Sequence, residues 1–81
     1  QTIFENTVTY DTETKTVDYT NSGFLNRPRI NIMPIDTATA QTALVTTGSS
    51  TSVSFKLYDI ENNALVPVAS AVQVQVTAIG V

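Results

Sequence analysis

The chain has 81 residues, enough for one small domain, and contains neither cysteine nor histidine. This excludes disulfides, structural zinc in its usual ligand sets, and any Ser/His/Asp or Cys/His nucleophile within the chain. Four basic residues against seven acidic ones, a net charge of −3 and a pI of about 4.4 argue against nucleic-acid binding through phosphate neutralisation, and no apolar run is as long as a membrane span.

Hydrophobic residues make up 42% of the chain and charged residues 14%, the latter well below the usual share. A weakly charged surface suits a chain whose outer faces are partly covered by neighbours. A single core of this size leaves little stability after the entropy of ordering is offset. Without disulfides or zinc, the shortfall is expected to come from self-association. Gln1 is not an initiator methionine, which points to a fragment or a processed product. Threonine is heavily used and no apolar pattern repeats every 3.6 residues, so the composition is all-β.

Thr2 to Tyr10 places Phe4, Val8 and Tyr10 on one parity and Thr7 and Thr9 on the other. Asp11 to Thr14 reads as a polar turn, and Lys15 to Thr20 alternates Val17 and Tyr19 against Thr16 and Asp18. The pair is expected to form a hairpin, although its turn lacks Asn-Gly or Asp-Gly. Asn21-Ser22-Gly23 breaks the chain. Pro28 opens a strand with Ile30 and Ile32 on one face and Arg29, Asn31 and Met33 on the other. Pro34 cannot donate to a ladder, so that strand ends there or runs along an edge.

Asp36 to Gln41 is a connector with room for one helical turn, and a short strand follows over Ala43 to Thr47. After Gly48-Ser49-Ser50, Thr51 to Asp59 points Val53, Phe55 and Leu57 inward and Ser54, Lys56 and Tyr58 outward. Glu61-Asn62-Asn63 is a loop tip, and Leu65 to Ala71 is an apolar approach containing Pro67. Val72 to Gly80 closes the chain with Val72, Val74, Val76 and Ala78 against Gln73, Gln75 and Thr77. Strict alternation with no proline, interior glycine or charge marks it as the central strand. Six strands joined by polar turns describe a small antiparallel β-sandwich.

Two stretches carry a family resemblance. Phe24 to Asp36 is an aromatic followed by a proline-led apolar strand ending in aspartate, and Phe55-Lys56-Leu57 leads through a polar loop to Val74, Val76, Ala78 and Gly80. Over roughly Lys15 to Val81 their order resembles the H-type lectin domain, a six-stranded antiparallel sandwich of invertebrate agglutinins and of some bacteriophage tail-fibre tips. The resemblance implies a homotrimer that binds carbohydrate in clefts between subunits. Animal members carry an arginine in the strand that here is Ala43 to Thr47 and a Trp-His pair in the loop that here is Asp59 to Asn63. Neither is present, so the fold and assembly carry over and the sugar specificity does not.

The phage branch is the nearer one. It implies a C-terminal receptor-binding domain on the virion, outside the cell, recognising bacterial surface polysaccharide, either lipopolysaccharide or capsule, without catalysis, cofactor, metal or membrane insertion. Residues 1–14 would then be the strand leaving a fibre shaft, and 15–81 the receptor-binding sandwich. The alternative is a purely structural virion module, such as a collar, head fibre or capsid decoration, with no ligand.

A sugar site needs an aromatic face and a few fixed carboxylates or amides. Tyr58, Asp59, Glu61, Asn62 and Asn63 supply these in one stretch, and Arg29 adds a planar fork for an anionic sugar. Plainer readings stand beside each. The loop is polar for solvation alone, and Arg27 and Arg29 pair with Asp18 or Asp36 at an interface. Asp11, Glu13, Asp18 and Asp36 lie mostly in turns of a domain too small for a glycosidase groove. The spacing of Asp59, Glu61 and Asn63 superficially matches a calcium loop, but it lacks the glycine turn and the distal bidentate glutamate. Gln73, Gln75 and Thr77 either face solvent or stack along a trimer axis.

Overall fold

A computed structural model describes residues 1–35 and 39–81. Among these the chain forms seven strands: β1 (Thr2–Tyr10), β2 (Lys15–Asp18), β3 (Arg29–Ile35), β4 (Gln41–Gly48), β5 (Ser52–Glu61), β6 (Ala64–Pro67) and β7 (Val72–Gly80), with a single 3-10 turn at Thr20–Ser22. All pairings are antiparallel. One sheet has the order β1-β7-β3; the other has β2-β5-β4, with β6 also on β5. The all-β sandwich expected from the composition is therefore present, with one strand more than expected.

β7 is the middle strand of its sheet, as its alternation requires. Val74, Val76 and Ala78 are fully buried and face Val53, Phe55 and Leu57 of β5, while Tyr10, Val17, Tyr19, Phe24 and Val68 close the core. Every one of these residues has the inward parity of its strand or lies in a loop folded over the end of the sandwich. Proline confines β3 to an edge, and there it lies, with Pro34 inside the strand opposite Val74.

The expected hairpin of β1 and β2 does not form. β1 pairs with β7 along its whole length, from Thr2 opposite Gly80 to Tyr10 opposite Val72, and β2 pairs with β5 in the other sheet. Asp11 to Thr14 is thus a crossing between sheets, eased by Thr12 at a φ of 73°. Residues 2–10 form an edge strand of the first sheet. The connector expected over Asp36 to Gln41 falls partly outside the described residues.

The register separates two poles of a body 40 Å long and 19 Å across. Thr2, Gly80, the 3-10 turn and the β4–β5 turn gather at one. There the Leu25 and Asn26 amides donate to the Val81 carbonyl, and Gly80 leaves room for Pro28, which would sit 3.2 Å from any added Cβ. Tyr10, the β1–β2 connection and the β5–β6 turn lie at the other.

Tyr19 fastens the first pole. Its ring meets Phe24 edge-on at 5.3 Å and Phe4 at 5.7 Å, and its hydroxyl donates to the carbonyls of Ser49 and Ser52 at 2.8 and 2.9 Å. Burial pushes this phenol above its ordinary pKa, with Arg27 pulling the other way. Tyr19→Phe keeps the packing and takes the hydroxyl from the Ser49 carbonyl, while the Ser52 carbonyl keeps the Ser49 amide, so it is expected to cost about 1 kcal/mol in urea unfolding. A midpoint unchanged from wild type would show that water replaces the hydroxyl freely.

Candidate functional site

The residues expected to form one sugar-binding loop are not in a loop. Tyr58, Asp59 and Glu61 belong to β5, and Asn62-Asn63 is the two-residue turn of a β5–β6 hairpin closed by Glu61 opposite Ala64. Both asparagines have positive φ, 49° and 63°, the condition for a type I′ turn. Asparagine tolerates that region better than most residues, so the pair has a structural reason to be there.

Strand pleating then splits the rest. Tyr58 points to the outer face with Lys56 and Ile60, and Asp59 and Glu61 take the opposite parity. Asp59 is occupied: its Oδ1 accepts from Gln41 Nε2 at 2.8 Å and from Thr39 Oγ1 at 3.0 Å. Arg29 starts β3 opposite Ile79, in the other sheet and at the other pole from Tyr58. Arg27 lies over Gly48, where a Cβ would come within 2.9 Å of Nε. Asp18 accepts from the Thr20 amide at 2.8 Å, and its hydrogen bonds to Thr20 hold the carboxyl below its usual pKa. Asp36, the other acid expected to pair with an arginine, lies outside the described residues. Among the described residues no three acidic side chains gather.

What the fold does bring together with Tyr58 comes from further along the chain. β2 and β6 lie end to end on one side of β5, because β4 holds the other. β2 reaches Phe55, β6 starts its pairing at Tyr58 and the Val68 amide after it donates to the Leu57 carbonyl, which leaves a gap beside Lys56. A cleft of about 310 Å³ fills that gap, walled by Tyr10, Thr12, Glu13 and Thr14 on one side, Lys56 to Tyr58 along its floor and Pro67 on the other. An aromatic ring and a proline supply an apolar surface; two threonine hydroxyls, one carboxylate and one ammonium supply polar groups around it. Sequence reading found Tyr58 and missed the others, since nothing in Asp11 to Thr14 signals which strand it will lie beside.

A second, shallower cleft of about 260 Å³ runs between β3 and β4, lined by Ile30 to Ile32 and by Gln41 to Ala43 with Val45. The Oε1 of Gln41 is buried with no partner among the described residues. On the outside of the other sheet, Gln73 and Gln75 donate to Thr9 Oγ1 at 3.0 Å and Glu5 Oε1 at 2.8 Å. These amides are thus tied to their own sheet. No family model, curated protein or solved structure matches the chain.

The turn and the cleft are separable by mutation. Asn63→Gly relieves the left-handed conformation and is expected to leave stability equal to or slightly above wild type, whereas Asn63→Val costs about 1–2 kcal/mol. Thermal unfolding of both variants checks this, and equal melting for the two would mean that the residue is not held at positive φ in solution.

Proposed function

We propose that the protein is a non-catalytic carbohydrate-binding module of the kind that forms the receptor-binding tip of a bacteriophage tail fibre, with the ligand in the cleft at Tyr58. The observation that carries this reading is the position of the cleft, beside the middle of β5 and at the base of the β5–β6 hairpin, on the half of the body away from Thr2 and Gly80. A shaft joined on the Thr2 side would leave this half of the body, with the cleft on its flank, free to meet a bacterial surface. The cleft chemistry agrees: Tyr58 and Pro67 suit the apolar face of a sugar ring, and Thr12, Thr14, Glu13 and Lys56 suit its hydroxyls and substituents. Its shallow, open form fits a polysaccharide segment better than a small molecule. As a fibre tip the module works as a trimer, the assembly that the H-type lectin resemblance implies.

The test is a glycan array of lipopolysaccharide and capsule fragments probed with the wild-type protein. Binding to a defined set of bacterial polysaccharides supports the reading, and a blank array at micromolar protein overturns it. A second reading, a structural virion module without ligand, is favoured by one observation. The outer face of β1-β7-β3 exposes Ile3 and Met33, and its only charges among the described residues are Glu5 and Arg29. Such a face suits contact with other protein surface. Under that reading, substitutions in the cleft leave adsorption to host cells unchanged.

A further inference from the structure

Among the described residues the sandwich has several free strand edges, and β1 is the one least blunted. β3 carries Pro34 within it and Arg29 at its start. β4 is broken by a register shift between Val45 and Thr47. β2 and β6 are four residues each. These are the devices by which sheets avoid pairing with another chain. β1 has nine residues without proline, glycine, lysine, arginine or bulge, paired on one side to β7 in unbroken register, and its one charge, Glu5, is turned to the outer face and bonded to Gln75. No other backbone hydrogen bond reaches it among the described residues.

The side chains of β1 repeat the point. Asn6 has the inward parity of Phe4 and Val8, yet it is exposed, and those two neighbours are only half-buried. The seam between the sheets is open along the middle of this strand.

The geometry points to antiparallel pairing of β1 with β1 of a second copy, about a two-fold axis through Asn6. In that register Phe4 faces the second copy's Val8, Ile3 faces its Thr9, Glu5 faces its Thr7, and the two Asn6 amides meet on the axis. Apolar residues meet on the inner side, and no like charges stand directly opposite. Glu5 already accepts from Gln75, which fixes its carboxylate on the outer face. The occupant is a second copy because the strand is its own complement at this register. The contact goes beyond the carbohydrate reading and does not depend on it: it doubles whatever unit carries it, a single chain or a trimer.

The register makes the test directional. Thr7 is exposed and would face Glu5 of the second copy. Sedimentation or light scattering across a dilution series should show wild type falling to half its mass. Thr7→Lys should tighten the doubling and Thr7→Glu loosen it, each by about 3- to 10-fold in Kd. Asn6→Lys, which sets two ammonium groups on the axis, should give only the halved mass. A wild-type mass that does not change between high and low micromolar protein and equals that of Asn6→Lys overturns the proposal. So does a shift in the same direction for both Thr7 variants.

Discussion

Phe55→Ala is expected to destabilise the chain by about 3–5 kcal/mol and to lower its urea midpoint sharply. Phe55 is fully buried at the centre of β5, stacked on Tyr10 at 5.9 Å and flanked in its sheet by Lys15 and Val45. Removing a buried phenylalanine costs about 3–5 kcal/mol, from lost transfer energy and the cavity left behind. A chain of this length holds about 4–12 kcal/mol in total. One ring thus carries a large share of that margin, because the core is small and no disulfide limits the unfolded state. Leu44→Ala, on the same sheet but 54% exposed, should cost under about 0.5 kcal/mol. Circular dichroism and urea titration distinguish the two. A cooperative transition for Phe55→Ala near the wild-type midpoint would mean that the core does not centre on β5 and β7.

Tyr58→Ala is expected to abolish polysaccharide binding without unfolding the protein. Tyr58 is partly exposed on the outer face of β5, where it forms part of the cleft floor opposite Pro67. Truncating a central tyrosine in a binding site typically costs at least about 2 kcal/mol, or about 30-fold in Kd. Glu13→Gln and Lys56→Met, which change charge at either side of the same cleft, should lower affinity less and alter which charged sugars are preferred. Asn62→Gly lies in the hairpin turn and should bind as wild type. Titration calorimetry against whichever fragment binds the array supplies the numbers. Loss of binding in Asn62→Gly with retention in Tyr58→Ala would move the site back to the turn.

The two strands most legible in the sequence are the two that form the core. β5 and β7 alternate apolar and polar residues over most of their length, and burial on one face requires that pattern whatever their partners are. Pairing was less legible. β1 and β2 alternate well enough to be recognised as strands, but a polar stretch between two strands looks the same whether it turns back or crosses to another sheet. β6 was missed because Ala64 to Pro67 is exposed throughout and so shows no alternation. Its signal was Asn62-Asn63, two residues at home at positive φ. The cleft could not be read at all from local pattern, since it exists only where the ends of β2 and β6 stop short of each other along β5.

The β1–β7 pair has the form of a hairpin whose turn is missing. Thr2 stands opposite Gly80, and the Val81 carbonyl is held by the amides of Leu25 and Asn26. A few glycines linking the first and last residues would therefore close the backbone into a ring without disturbing a ladder. New ends could then be opened at Asn62-Asn63, giving a circular permutant in which β7 and β1 become consecutive and the longest pairing in the molecule becomes a local one.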